Sequence, residues 1–94
     1  MLKDEIIGKI EECGCFEEIE YPEENMTGKT FNVKTEPVTL IINKVTIGPV
    51  VSIDTIGKAL HVWINPYFLG SDLNEPVLAV AVSYEEVDSF EVVD

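Results

Sequence analysis

The residues of this chain that could perform covalent chemistry are two cysteines and a single histidine. Cys13 and Cys15 are two positions apart, whereas His61 lies far along the chain. A thiol nucleophile needs a base within hydrogen-bonding reach, and nothing in the local sequence brings His61 to either cysteine. His61 alternates with Ala59 and Trp63, which is typical of a strand residue packed beside an aromatic side chain. We therefore predict that the chain is not an enzyme.

Motifs for metal, phosphate and calcium binding are all incomplete. A structural zinc site needs about four ligands, and the chain offers only the two thiols and one distant imidazole. The segment Gly28-Lys29-Thr30 resembles the end of a phosphate-binding loop, but Glu23 stands where that loop requires its first glycine. Asp72 and Asn74 have the opening spacing of a calcium loop without its glycine and distal glutamate. We expect neither a metal nor a cofactor.

The most unusual global property is charge. The chain has 18 acidic residues, six lysines and no arginine, which gives a formal net charge of −12. Residues 1–25 hold nine acids and two lysines, residues 26–70 two acids and four lysines, and residues 71–94 seven acids and no base. Such a chain should repel nucleic acid and anionic membranes and should be attracted to basic protein surfaces. The alternative is that the acids only keep a small protein in solution.

Two acidic clusters are the candidate partner-binding residues. They comprise Glu17, Glu18, Glu20, Glu23 and Glu24 in the first cluster and Glu85, Glu86 and Asp88 in the second. We predict a small non-catalytic binding protein, such as an inhibitor or regulator that mimics nucleic-acid charge and occupies a basic, nucleic-acid-binding surface of a partner. For Glu17, Glu18 and Glu20, the competing interpretation is that charge along an edge strand prevents unwanted pairing.

A second function class is a structural subunit that self-associates into a homo-oligomer. It would use sheet edges or the apolar segment Tyr67-Phe68-Leu69, which we otherwise expect to close one end of the core. No apolar stretch has the length of a signal-peptide core or approaches the ~20 residues of a membrane span. We therefore expect one cytoplasmic domain over residues 1–94, with reduced thiols and no membrane contact.

One helix is predicted, over Met1 to Cys13. Its apolar residues are spaced by three and four and form one stripe: Leu2, Ile6, Ile7, Ile10 and Cys13. Gly14 is the expected end of the helix, with Cys15 packed beside it. Gly8 lowers the intrinsic helix stability by about 1 kcal/mol relative to alanine, so the helix needs a sheet to hold it.

The stretch from Val38 to Ile64 is rich in β-branched residues and predicts a run of strands. A hairpin turning at Asn43-Lys44 would place Ile42 opposite Val45 and Leu40 opposite Ile47, so that these apolar residues share one face. One long strand through the same residues is the alternative. Gly48-Pro49 is expected to end or bend the hairpin, with a further short strand at Val51 and Ile53.

The remaining strands are predicted from short apolar runs. They are an acidic edge strand over Phe16 to Tyr21, a strand over Thr30 to Thr35, a two-sided central strand over Leu60 to Ile64, a central strand over Val77 to Val82, and a last strand over Asp88 to Val93 after one turn at Ser83 to Glu86. The sequence thus predicts an α+β fold. One N-terminal helix packs on an antiparallel sheet of about five to six strands that could be barrel-like.

Overall fold

The computed structural model describes residues 1–19 and 29–93. Its elements are helix α1 (Lys3–Cys13), strands β1 (Phe16–Ile19), β2 (Thr30–Val33), β3 (Val38–Ile42), β4 (Val45–Asp54) and β5 (Ala59–Ile64), a 3₁₀ turn (Pro66–Leu69), strand β6 (Val77–Ser83), a second 3₁₀ turn (Tyr84–Glu86) and strand β7 (Phe90–Val93). The helix packs on one curled antiparallel sheet of seven strands, a half-barrel. The predicted fold class is confirmed, with more strands than expected.

Helix α1 ends as the sequence predicts. Gly14 follows it with a φ of 72°, the left-handed conformation that favours glycine. Ile6 and Ile10 are fully buried, and Cys13 is partly buried against the core. Leu2 belonged to the predicted stripe, but it precedes the helix and is 70% exposed. The helix contacts β7 and β1, so it fills the open side of the half-barrel.

The predicted hairpin is confirmed, and the single long strand is wrong. Ile42 pairs with Val45 and Leu40 with Ile47, around the predicted turn at Asn43-Lys44. Three of these four apolar side chains are buried in the core, as expected for one inward face. Val45 is 60% exposed, because it lies at the tip of the hairpin where the sheet ends.

Strand β4 is longer than predicted and passes through Gly48-Pro49 without a break. The cis peptide bond between these two residues lies where the pairing with β3 shifts, from Leu40–Ile47 to Val38–Val50. This shift places an extra residue on β4, so the proline occupies a bulge. The strand predicted separately at Val51 and Ile53 is therefore the second half of β4.

The sheet has two branches that share β4. The first half of β4 pairs with β3, which pairs with β7, while the second half lies between β2 and β5. Strand β1 ends the sheet beside β2, and β6 ends it beside β5. Strand β5 is central as predicted, but only the face of Leu60 and Val62 is fully buried.

The prediction that Val77 to Val82 is a central strand is wrong. Strand β6 pairs with β5 alone among the described strands, and Leu78 is 46% exposed. Val80 and Val82 pack partly against the core, whereas Ala79 and Ala81 are exposed. An uninterrupted apolar run therefore marks the edge of this sheet, because small side chains on the solvent side look apolar in the sequence without being buried.

Candidate protein-binding site

The second acidic cluster lies on the connection between β6 and β7. The 3₁₀ turn Tyr84–Glu86 follows β6 directly, as the predicted single turn at Ser83 to Glu86 requires. We call the three carboxylates of this connection, Glu85, Glu86 and Asp88, the acidic turn. All three side chains are exposed, while the intervening Val87 is fully buried. The three carboxylates therefore project from a backbone segment that is anchored to the core by Val87.

Tyr84 is the second buried anchor of the acidic turn. Its side chain is buried, and its hydroxyl donates a hydrogen bond to the backbone oxygen of Thr55 at 2.7 Å. Burial, with a smaller contribution from the carboxylate of Asp54, raises the pKa of Tyr84 to about 12. The Nζ of Lys3 lies 5.8 Å from the centre of the Tyr84 ring, within the range of a cation–π contact. The start of α1 therefore packs against this anchor.

Asn43, in the hairpin turn between β3 and β4, fixes the acidic turn from the other side. Its Nδ2 donates to the backbone oxygen of Glu86 at 2.8 Å, and its Oδ1 accepts from the backbone nitrogens of Asp88 at 2.7 Å and Ser89 at 3.1 Å. Asn43 and Lys44 have φ values of 50° and 68°, the left-handed region that asparagine tolerates. The hairpin thus presents the Asn43 amide to the acidic turn.

The role of Asn43 is missing from the sequence prediction. The sequence indicated it only as a turn residue, and its three side-chain partners lie more than 40 positions further along the chain. The only signal was the choice of asparagine followed by lysine where glycine would fit a tight hairpin better. That choice is consistent with an Asn43 side chain that also forms hydrogen bonds outside the turn.

The first acidic cluster differs from the acidic turn because a lysine pairs with one of its glutamates. Glu17 and Glu18 are exposed on β1, and Glu20, Glu23 and Glu24 lie outside the described residues. The Nζ of Lys29 lies 3.4 Å from Glu18 and 3.7 Å from Glu11, so at least part of this cluster is neutralised. The hydrogen bond that Lys29 donates to Glu18, together with the negative charges of Glu11 and Glu18, raises the pKa of Lys29. Sequence reasoning missed this pairing.

Thr55 fixes the lysine that neutralises Glu18. The Thr55 hydroxyl donates to the backbone oxygen of Lys29 at 2.6 Å and accepts from its backbone nitrogen at 2.8 Å. The backbone oxygen of Thr55 accepts the hydrogen bond from the Tyr84 hydroxyl described above.

Among the described residues, no hydrogen bond or ion pair joins Glu17 or Glu18 to the acidic turn, and no lysine is within ion-pair distance of the acidic turn. The N-terminal ammonium of Met1 donates to the backbone oxygens of Tyr84, at 3.1 Å, and of Val87, so one positive charge lies beside the acidic turn. Among the described residues the acidic turn is therefore the cluster whose backbone is fixed and whose carboxylates form no ion pair.

The residues that could have formed a thiol–base pair lie on different elements. Cys13 ends α1 and its Sγ donates to the backbone oxygen of Ile10 at 3.0 Å, while Cys15 precedes β1; the two thiols are not joined by a disulfide. His61 lies on β5, opposite Asp54 of β4. Within residues 1–19 and 29–93, no group of three histidine, cysteine or acidic side chains is arranged to hold a metal ion.

The apolar segment Tyr67-Phe68-Leu69 does not close the core, contrary to expectation. The exposed fractions of its side chains are 54%, 55% and 68%. The 3₁₀ turn is fixed by its ends: Asn65 Oδ1 accepts from the nitrogen of Tyr67 at 3.1 Å, and Gly70 has a φ of 88°. These caps direct the side chains outward beyond the end of β5. Phe68 and Leu69 line one side of a groove of about 350 Å³ beside Gly48-Pro49.

Comparison of the chain with known protein families, curated proteins and solved structures finds no match. In the part of the chain that the structure describes, no helix has the length and apolar character needed to cross a membrane.

Proposed function

We propose that this chain is a small non-catalytic binding protein whose acidic turn docks onto a basic surface of a partner protein. The observation that carries this proposal is the support of Glu85, Glu86 and Asp88. These exposed carboxylates extend from a backbone fixed by Asn43 and Tyr84, and they form no ion pair with another described residue. An inhibitor or regulator that covers a nucleic-acid-binding surface is the kind of protein this arrangement suits.

Fixed carboxylates favour binding for two reasons. A backbone that is already ordered loses less conformational entropy when the partner binds. Charges without an internal counter-ion also keep their attraction for Lys and Arg of a partner, and the guanidinium group of Arg can bridge a carboxylate with two parallel hydrogen bonds. The acidic turn has an ordered backbone, and its carboxylates form no ion pair with a described residue, although the Met1 ammonium binds the backbone oxygens of Tyr84 and Val87. Glu18, by contrast, already faces Lys29.

The test is quantitative capture from the native cell with three baits. The first is the unchanged chain, the second carries Glu85→Gln, Glu86→Gln and Asp88→Asn, and the third carries Glu17→Gln and Glu18→Gln. We expect the same basic protein to be recovered with the first and third baits and to be strongly depleted with the second. Equal recovery with all three baits would contradict the proposal, provided circular dichroism shows that the variants are folded.

Self-association is a second candidate, because Tyr67, Phe68 and Leu69 are exposed side by side. Exposed apolar groups of this size are found in protein contact sites. Sedimentation velocity over a range of protein concentrations decides this question. A dimer whose formation is lost in Phe68→Ser and kept in Val45→Ser, which alters another exposed apolar side chain without changing the charge, would favour the structural-subunit function.

A further inference from the structure

Strand β6 is an edge of the sheet that no other described strand covers. Its sequence from Val77 to Ser83 contains no charged residue and no proline, and one side of it pairs with β5. No described strand pairs with the other side. A free edge offers a row of backbone N–H and C=O groups to which another strand can bind, and natural sheets usually block such edges with charge or proline.

The other ends of the sheet are protected. Strand β1 carries Glu17 and Glu18 within its four residues, and β7 carries Glu91 and packs against α1. Charges within a strand disfavour the addition of another strand, because each would have to be matched or desolvated. The edge of β6 is therefore the one among these three strands that backbone pairing can extend at low cost.

Acidic residues lie at both ends of β6 rather than within it. Asp72 and Glu75 precede the strand, and Glu85 and Glu86 of the acidic turn follow it. All four side chains are exposed. A strand of seven residues is about 23 Å long at ~3.3 Å per residue, so the two acidic ends are separated by roughly that distance.

This charge pattern disfavours a second copy of the chain as the occupant. In an antiparallel pair of β6 strands, Glu75 of one copy would lie near the acidic turn of the other, at both ends of the pair. In a parallel pair, each acidic end would lie beside its own equivalent. Like charges in opposed strands are destabilising, and no lysine lies within β6 to compensate.

We infer that β6 receives an extended segment of a basic partner protein, which adds to the sheet as an eighth strand. The segment would alternate apolar and small polar side chains opposite β6 and would carry Lys or Arg at both ends, beside Asp72 and Glu75 and beside the acidic turn. This inference rests on the proposed function, because one of the two acidic ends is the acidic turn. It adds that the partner forms backbone hydrogen bonds with β6 and that it binds as an extended strand.

Three synthetic peptides test the inference. The first has a valine–threonine alternation of about seven residues, the length of β6, with two lysines at each end. The second keeps the lysines and replaces every threonine by proline, which removes backbone donors but retains the charge. The third keeps the alternation and replaces the lysines by glutamates. Each is titrated into the ¹⁵N-labelled chain, and amide exchange is measured for β6.

The expected result has a specific pattern. Successive N–H groups of a strand point alternately to its two sides, so every second amide of β6 should gain protection with the first peptide while the amides that face β5 stay protected throughout. The second and third peptides should give no such protection. Glu75→Gln with Glu85→Gln should weaken binding of the first peptide about tenfold at low salt. The matched control, Glu12→Gln with Glu36→Gln, should change it much less.

Each other outcome contradicts part of the account. If both lysine-ended peptides shift the acidic turn equally without protecting β6, strand addition is wrong and the proposed function stands. If the glutamate-ended peptide protects β6 as well as the first, the basic partner is wrong. Protection of β6 that rises with protein concentration alone would identify a second copy as the occupant. No change in β6 at millimolar concentrations of the first peptide would also overturn the inference.

Discussion

The two acidic clusters of this chain look alike in the sequence and differ in the structure. On β1, Glu18 faces Lys29, whose backbone is itself fixed by Thr55. In the acidic turn, three exposed carboxylates are held by Asn43 and Tyr84 and face no lysine among the described residues. The two clusters therefore differ in backbone support and in ion pairing, and this difference is the basis for proposing the acidic turn as the binding site.

The difference arises from what each cluster must do for the fold. Strand β1 ends the sheet, and its glutamates sit where a strand needs protection from further pairing. The acidic turn instead closes the connection to β7, and its anchors Tyr84 and Val87 are buried residues of the core. The carboxylates of the acidic turn are exposed beside these anchors and form no ion pair with a described residue.

The largest expected effect comes from removing the support of the acidic turn. Asn43→Ala deletes three hydrogen bonds to the backbone of Glu86, Asp88 and Ser89 and places alanine at a positive φ, so we expect a loss of about 2 kcal/mol in the free energy of unfolding. Urea denaturation measures it. Asn43→Gly should lose less of the free energy of unfolding, because glycine tolerates the positive φ. Faster amide exchange at Asp88 and Ser89 should accompany both substitutions. Unchanged exchange would show that Asn43 does not hold the turn.

Tyr84→Phe tests the buried anchor. It leaves the Thr55 carbonyl without its partner, and we expect a loss of about 1–2 kcal/mol in the free energy of unfolding near pH 7.

This loss should depend on pH in a defined window. Because the pKa of Tyr84 in the folded protein, about 12, lies above its ordinary value of 10.0, folding favours the neutral hydroxyl. Its contribution is complete below pH 10 and decreases as the pH rises to 12. The difference in stability between the unchanged chain and Tyr84→Phe should therefore shrink across that window. A difference that stays constant from pH 9 to 12 would show that the hydroxyl is not protected by the fold.

A smaller effect is expected where α1 leads into β1. A serine hydroxyl at a fully buried position of the apolar stripe would cost about 1–3 kcal/mol in the free energy of unfolding. For Cys13→Ser the structure lowers this expectation to about 1 kcal/mol or less, because Cys13 is only partly buried and a serine hydroxyl can donate to Ile10 as the thiol does. Thermal unfolding of the variant checks the value. Stoichiometric zinc in the freshly purified chain would contradict a purely structural role.

The smallest effect is expected from Lys29→Gln. Lys29 is exposed and its ion pairs with Glu11 and Glu18 are at the surface, so unfolding by urea should change little. The variant should, however, release Glu18 for binding and raise the association rate of a basic partner slightly. Lys34→Gln has the same change in net charge without these ion pairs and is the matched control. Equal rates in the two variants would show that only net charge matters at β1.

Local patterns predicted the parts of the fold that depend on local chemistry. The spacing of Ile6 and Ile10 and the glycine at Gly14 defined the helix, and the alternation around Asn43-Lys44 defined the hairpin and its register. The run from Val77 to Val82 was wrongly predicted to be a central strand. Its apolar sequence predicts strand β6 but does not show which strands pair with it. Gly48-Pro49 was expected to end or bend the hairpin. It lies at a bulge through which β4 continues, so only the separation of the strand at Val51 and Ile53 was wrong.

Composition predicted the candidate site, but it did not distinguish the acidic turn from the first acidic cluster. The sequence indicated both acidic clusters, but the pairing of Lys29 with Glu18 and the bonds from Asn43 to the acidic turn join residues distant in the chain. Long-range contacts of this kind leave no local pattern. Closure of the core by Tyr67, Phe68 and Leu69 was expected because large apolar side chains are usually buried, whereas their exposure was the alternative and is what the structure shows.

The most direct test of the account is the rate of association with the captured partner, measured by stopped flow from 0.05 to 1 M salt. It compares the unchanged chain with the variant neutralised at Glu85, Glu86 and Asp88 and the variant neutralised at Glu17 and Glu18. Screening shortens the Debye length from ~10 Å at 0.1 M to ~3 Å at 1 M, so the rate should fall with salt. We predict that neutralising the acidic turn removes most of this dependence and that neutralising β1 removes little. An association rate that is independent of salt, or that depends equally on both clusters, would contradict the central claim.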